Sequence, residues 1–190
     1  MVETATYTVE KFVEDVRQIF ASTNDPLVQA QEVASHMQIL LRVPGALEDR
    51  INLPPEEGYG RVDLHLDKEY GYPNPGFLLM VSIQHPGQDN LPHDHGNSWV
   101  VYGVYDGAIE QVKWGWVYPE GEWTTPHIEK TQSYVERNGD VAFFLPGEIH
   151  NTKNVNDRRS VVVRLEAQEL STVPRLRYNP ETGEVIPYER

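Results

Sequence analysis

Three histidines constrain the fold of this chain more than any other feature. His93 and His95 are two residues apart, so on an extended strand their imidazoles project to the same side. A third imidazole, from His150, would complete one face of a metal ion. The sequence therefore predicts that these three histidines bind one divalent metal, and that the fold brings distant parts of the chain together around it.

The residues around the histidines resemble the two cupin motifs, G-x5-H-x-H-x4-E-x6-G and G-x5-P-x-G-x2-H-x3-N. The matching positions are Gly87, His93, His95 and Gly107 for the first motif, and Gly139, Gly147, His150 and Asn154 for the second. Two positions depart from the pattern. Pro146 lies one place later than usual, and Val100 stands where the first motif has its glutamate. The chain therefore offers three histidine ligands and no carboxylate.

Three-histidine cupins include the thiol dioxygenases, among them cysteine dioxygenase and 3-mercaptopropionate dioxygenase, and residues 77–107 look like theirs without a gap. The resemblance implies an Fe(2+) cofactor, dioxygen and a small-molecule substrate. Three neutral imidazoles leave a divalent iron with one more unit of positive charge than two histidines and a carboxylate would, which favours an anionic ligand on the metal. Zinc, nickel or manganese could occupy the same ligands in a purified sample.

The resemblance indicates a mainly β fold, a cupin double-stranded β-helix or jelly-roll barrel with N-terminal α-helices. Thr8 is a candidate N-cap for the first helix, and Asp25 followed by Pro26 begins the second, which residues 43–45 end. The predicted apolar face of the second helix is Leu27, Ala30, Ala34, Met37 and Leu41.

Strands are predicted after a loop at residues 53–58. They are rich in β-branched and aromatic residues and separated by Gly, Pro, Asn and Asp, a pattern typical of an antiparallel barrel. Their expected bounds are 62–66, 77–84, 98–105, 108–117, 132–136, 141–145 and 160–166. We expect a single domain over residues 1–190, with a helical N-terminal extension at 1–58, the barrel at 59–170 and a C-terminal extension at 171–190.

Composition excludes several partners. The net charge of −13 argues against nucleic acid and anionic membranes, because both would be repelled at long range. The absence of cysteine excludes disulfides and thiolate catalysis. No apolar run is long enough to cross a bilayer and no secretory signal is apparent, so we expect a soluble cytoplasmic protein, either a monomer or a homodimer.

Two residues besides the histidine triplet are candidates for contact with a substrate. Val100, Tyr102 and Val104 should alternate inward along their strand, which would place the Tyr102 hydroxyl inside the barrel. A purely structural role, in which Tyr102 only packs in the interior, is as consistent with the sequence as a contact with substrate. His65 lies on the strand that carries a substrate-contacting side chain in thiol dioxygenases, although a structural or exposed role is the simpler interpretation. His36, His85 and His127 have no such support, and the tryptophans Trp99, Trp114, Trp116 and Trp123 fit either a core or a pocket.

Arg164 is the third candidate, because a guanidinium group presents a fork that matches a carboxylate. The alternation of its strand predicts the opposite, however. Val161, Val163 and Leu165 form the apolar set. If they face the barrel interior, Arg164 lies outside and pairs with Glu166 or another acidic neighbour.

Departures from cysteine dioxygenase argue against cysteine as the substrate. The Ser-x-His-x-Tyr triad of that family falls on Val163, Leu165 and Ala167 in one register, or on Val162, Arg164 and Glu166 in the other. The cysteine that some members crosslink to tyrosine falls on Val100, and the nearest match for their carboxylate-binding arginine is Asp63.

Three functions remain open at this point. The first is a non-haem iron(II) dioxygenase of a small anionic substrate other than cysteine, with His93, His95 and His150 as metal ligands and Tyr102, Arg164 and His65 as candidate catalytic residues. The second is a cupin enzyme that uses a divalent metal as a Lewis acid for hydrolysis, isomerisation or carbon–carbon cleavage. The third is a non-enzymatic protein that binds a metal or small ligand.

Overall fold

The computed structural model describes residues 7–51, 60–118 and 126–188. Two helices come first, α1 (Val9–Ser22) and α2 (Pro26–Leu41). The strands that follow are β1 (Arg61–Leu66), β2 (Leu78–Gln84), β3 (Val100–Asp106), β4 (Ala108–Val117), β5 (His127–Arg137), β6 (Val141–Phe144), β7 (Ile149–Asn154), β8 (Ser160–Glu166), β9 (Leu176–Tyr178) and β10 (Val185–Pro187). The prediction of a mainly β jelly-roll barrel preceded by helices is confirmed.

Local capping explains where both helices begin. The Thr8 hydroxyl accepts a hydrogen bond from the Lys11 amide at 3.2 Å, and Asp25 Oδ1 accepts one from the Leu27 amide at 2.9 Å. These bonds satisfy backbone N–H groups that have no partner within the helix. The predicted apolar face of α2 is partly wrong. Leu27 is 41% exposed, whereas the unpredicted Val33 and Leu40 are fully buried.

Two antiparallel sheets form the barrel. The larger has the strand order β1-β2-β8-β3-β6, and the smaller has the order β5-β4-β7. An apolar cluster joins them, since Val100 and Val162 of the larger sheet pack with Ile109 of the smaller one. The space between these sheets is the interior that holds the candidate site.

The other face of the larger sheet is covered by the two helices. Val161, Val163 and Leu165 belong to the same buried cluster as residues of α1 and α2, such as Phe12 and Met37. The alternative that these three β8 residues face the barrel interior is therefore wrong, and Arg164 points inward instead. Because both faces of this sheet are buried against apolar groups, an apolar alternation does not identify the interior face.

The strand bounds agree with the sequence prediction in part. Ala108–Val117 and Ser160–Glu166 match the expected bounds, whereas β5 is longer than expected. Strand β7 and the β9–β10 hairpin were not predicted. The predicted loop at 53–58 and Trp123 lie outside the described residues. Among the residues that the structure describes, no helix is long and apolar enough to span a membrane.

Candidate metal centre

The three predicted ligand histidines lie together in the interior between the sheets. Their ligand atoms all lie within 4.8 Å of one another, and Nε2 of His95 is 3.3 Å from Nε2 of His150. Backbone pairing positions them: the His93 amide donates to the His150 carbonyl at 2.8 Å, and the His150 amide donates to the His93 carbonyl at 3.0 Å. The segment before β3 is thereby fixed against β7.

Hydrogen bonds orient two of the imidazoles. His93 Nδ1 lies 3.0 Å from the Leu91 carbonyl oxygen, and His150 Nδ1 lies 3.1 Å from Oε1 of Gln111. Both partners are acceptors, so each Nδ1 carries the proton and each Nε2 keeps its lone pair for a metal. In these two histidines, Nε2 is therefore the atom available to a metal.

Burial keeps all three imidazoles uncharged. It lowers the pKa of His93 from 6.5 to about 4, and it holds the pKa values of His95 and His150 well below 6.5. The positive charge of nearby Arg164 acts in the same direction. Near pH 7 the cluster therefore presents three neutral nitrogen donors, which fits a divalent transition metal.

An aromatic and aliphatic wall surrounds the histidines. The ring of Phe144 stacks on that of His150 with 3.7 Å between centroids, and Val100 is fully buried in the same cluster as Tyr102 and Phe144. The Tyr102 hydroxyl lies 3.3 Å from His95 Nε2. Of the three candidate catalytic side chains, Tyr102 is thus placed directly beside the histidine cluster.

Arg164 lies inside the barrel, close to the histidines. Its guanidinium group is 5.2 Å from the centre of the Tyr102 ring, and its Nη2 is 2.9 Å from Glu166 Oε1, with the two side chains 13% and 5% exposed. The expected partner of Arg164 is therefore present, but the pair lies in the interior and not on the outer surface.

A cavity of about 430 Å³ opens beside His93. Four guanidinium groups line it, together with Glu166 and the Tyr188 ring; the arginines are Arg61, Arg164, Arg175 and Arg177. Arg175 and Arg177 come from the C-terminal hairpin region and were not among the predicted site residues. Their two-residue spacing on an extended segment was the available signal, because it directs both side chains to one side.

Two of these arginines lack a carboxylate partner within the described part of the chain. Arg61 pairs with Asp63 at 2.5 Å and Arg164 pairs with Glu166. By contrast, Arg175 and Arg177 stack on the Tyr188 ring at 3.9 and 4.7 Å. Their Nε atoms are buried without a hydrogen-bond partner among residues 7–51, 60–118 and 126–188. The cavity thus presents positive charge that an anion could neutralise.

Asp94 ties the C-terminal hairpin to the histidine segment. Its carboxylate accepts hydrogen bonds from the Tyr178 hydroxyl at 2.5 Å and from the Leu176 amide at 3.2 Å. Gly96 makes the close approach possible. It has a φ of +59°, and a Cβ atom there would overlap the backbone oxygen of Pro174. Arg175 and Arg177 are therefore held next to His93 by the same chain segment that carries His93 and His95.

His65 is not brought to this site. Its Nε2 is 3.1 Å from Asp67 Oδ2, its ring lies against Phe77 with 5.3 Å between centroids, and Asp67 also binds Arg17 of α1 at 2.7 Å. These contacts place His65 toward the helices, and it is not among the residues that line the cavity.

Comparisons with known proteins add the following findings. No protein-family model matches the chain, and no curated protein matches it. Among solved structures, it is similar to an uncharacterised conserved protein with a double-stranded β-helix domain from Klebsiella pneumoniae (18% identity, 75% of this chain and 88% of that chain, TM-score 0.44). It is also similar to the Cnp3 cupin domain of Schizosaccharomyces pombe (13%, 67% and 76%, 0.47) and to an oxalate oxidase (17%, 71% and 56%, 0.41). At these identities and TM-scores the three structures do not indicate an activity for this chain.

Proposed function

We propose that this chain is a non-haem iron(II) dioxygenase that acts on a small anionic substrate other than cysteine, in the manner of the thiol dioxygenases. One observation carries the proposal: three buried, neutral imidazoles converge beside a cavity lined by four guanidinium groups, two of which have no carboxylate partner among the described residues. Neutral ligands leave the full charge of a divalent metal available to an anion. The positive cavity favours the same class of ligand.

Each residue of the site has a specific role in this proposal. His93, His95 and His150 hold the metal, and a divalent iron at this position supplies the redox chemistry with dioxygen. Arg175 and Arg177 bind the acidic group of the substrate, since guanidinium groups match carboxylate oxygens in geometry and charge. Tyr102 donates a hydrogen bond from its hydroxyl to a substrate atom next to His95. Val100 and Phe144 exclude water around the imidazoles.

The absence of cysteine-specific groups supports a different substrate. Val163 and Leu165, which hold two of the triad positions in one register, pack toward the helices. In the other register, Arg164 and Glu166 are already paired with each other. Neither register of β8 therefore supplies the triad that would orient cysteine, and positioning of a substrate can lower the reaction barrier by roughly several kcal/mol.

Oxygen uptake tests the proposal. Protein loaded anaerobically with Fe(II) is mixed with air-saturated solutions of thiol acids, 1,3-dicarbonyl acids and cysteine, and oxygen consumption is recorded beside a His95→Ala control. We expect uptake with at least one anionic substrate, slower uptake with cysteine, and none with the control. Equal rates with cysteine would contradict the specificity. No uptake with any compound would favour Lewis-acid catalysis or a binding function instead.

A further inference from the structure

The side-chain amide of Gln111 connects a buried carboxyl group to one of the histidines. Gln111 lies on β4, the central strand of the smaller sheet, between Glu136 of β5 and His150 of β7. Its Nε2 donates to Glu136 Oε2 at 3.0 Å, and its Oε1 faces His150 Nδ1 at 3.1 Å. Gln111 is fully buried and Glu136 is 4% exposed. Both ends of the amide are therefore used, away from solvent.

The orientation of this amide determines which nitrogen of His150 is protonated. An amide oxygen only accepts hydrogen bonds, so it selects the tautomer with the proton on Nδ1 and the lone pair on Nε2. The reversed amide would present its NH2 group to Nδ1. The proton would then lie on Nε2, the atom that faces His95, and His150 would lose its donor for a metal.

Glu136 is what distinguishes the two orientations. An ionised carboxylate only accepts hydrogen bonds, so the NH2 group of Gln111 must point toward it. Burial raises the pKa of Glu136 and nearby Asp140 acts in the same direction, while the bond from Gln111 lowers it; together they raise the pKa from 4.5 to about 7. At about pH 8 the group is ionised and acts as an acceptor.

We propose that Glu136 and Gln111 are positioning residues that fix the metal-binding tautomer of His150. The inference rests on the proposed function only in that His150 is taken as a metal ligand. Partners of this kind usually change metal affinity about 10- to 100-fold when they are removed. Neither side chain lines the cavity beside His93, so the expected effect acts through His150.

Metal affinity in matched variants tests the proposal. Cobalt(II) binding at about pH 8 is measured by competition with a chromophoric chelator for the wild type, Gln111→Leu, Glu136→Leu and Glu136→Gln. Glu136→Gln is the conservative variant: its amide oxygen can still accept from Gln111, but its NH2 group can also donate, so it selects the orientation of Gln111 less strongly than a carboxylate. Gln84→Leu is the control. Gln84 is also a buried amide, and it is bonded to β7 of the other sheet at 3.0 Å from Thr152 Oγ1, but it is not bonded to a ligand histidine.

We expect Gln111→Leu and Glu136→Leu to bind cobalt about 10- to 100-fold more weakly, with Gln84→Leu within about threefold of the wild type and Glu136→Gln intermediate. Equal affinities for all five proteins would overturn the proposal. So would an equal loss in Gln84→Leu, which would indicate a general effect of removing a buried amide. A wild type that binds no cobalt would instead refute the metal site of the proposed function.

Histidine nitrogen NMR provides a second readout that does not depend on metal. In metal-free wild-type protein labelled with 15N-histidine, the His150 signals are assigned by their loss in His150→Gln. We expect the Nδ1–H tautomer in the wild type, and a shift toward Nε2–H in Glu136→Leu. An Nε2–H tautomer of His150 in the metal-free wild type would overturn the proposal without any further variant.

Discussion

Glu136→Gln should stabilise the metal-free protein at neutral pH and not in acid. The pKa of Glu136 is raised from 4.5 to about 7, so the folded state holds its proton at a pH where the unfolded chain has already lost it. Folding stability must then fall as the pH rises from about 4.5 to about 7, and stay at the lower level above it. A difference of roughly 2.5 pH units, at about 1.4 kcal/mol each, corresponds to about 3 kcal/mol.

The assay compares urea unfolding of wild type and Glu136→Gln in chelator at about pH 5 and about pH 8. The amide of the variant does not titrate, so its stability relative to the wild type should rise by about 2 to 3 kcal/mol between the two conditions. Other titrating groups, including the buried histidines, occur in both proteins and cancel in the difference. A change below about 0.5 kcal/mol would refute the claim that burial of Glu136 dominates its titration.

Three further predictions concern the histidines and the cavity. His95→Ala should lose iron binding in metal analysis, and a full equivalent at wild-type affinity would contradict the three-histidine site. Val100→Glu should add a carboxylate ligand, so metal affinity rises and anion affinity falls in titrations; no change in either would mean that Val100 is not close enough to the metal. Arg175→Gln should weaken binding of a substrate acid by about tenfold or more, since a charged hydrogen bond contributes about 1.5 to 3 kcal/mol. The exposed Arg158→Gln, whose partner is Asp106, is the control, and equal loss in both would refute a specific anion site.

The helices and the pair His93 and His95 could be predicted because their signals are local, whereas His150 was added through the resemblance to the second cupin motif. Thr8 and Asp25 identify helix starts through the side chain that caps them, and the spacing of His93 and His95 depends only on strand geometry. The fold class followed from short strands separated by turn residues.

The features that the sequence did not predict depend on contacts between residues that are far apart in sequence. The sequence of β7 is mostly polar and does not by itself predict a strand. It forms a strand because it pairs with β4. Arg164 was assigned an outward position in one interpretation because the helix-covered face of its sheet is as apolar as the interior. Gln111 and Glu136 are ordinary polar residues in sequence, and only cross-strand pairing places them beside His150. Arg175 and Arg177 reach the cavity through the bonds between Asp94 and the hairpin.

The metal-binding imidazoles and the positive charge of the cavity come from different parts of the chain, which the bonds between Asp94 and the C-terminal hairpin hold together. Barrel strands and the segment before β3 supply the imidazoles, whereas the two arginines that have no carboxylate partner in the described part of the chain come from the hairpin region, at residues 175 and 177. Replacing those two side chains alters the charge of the cavity without changing any imidazole. A designer could therefore select a neutral or cationic ligand by redesigning one short hairpin, provided that Tyr178 and its bond to Asp94 are retained.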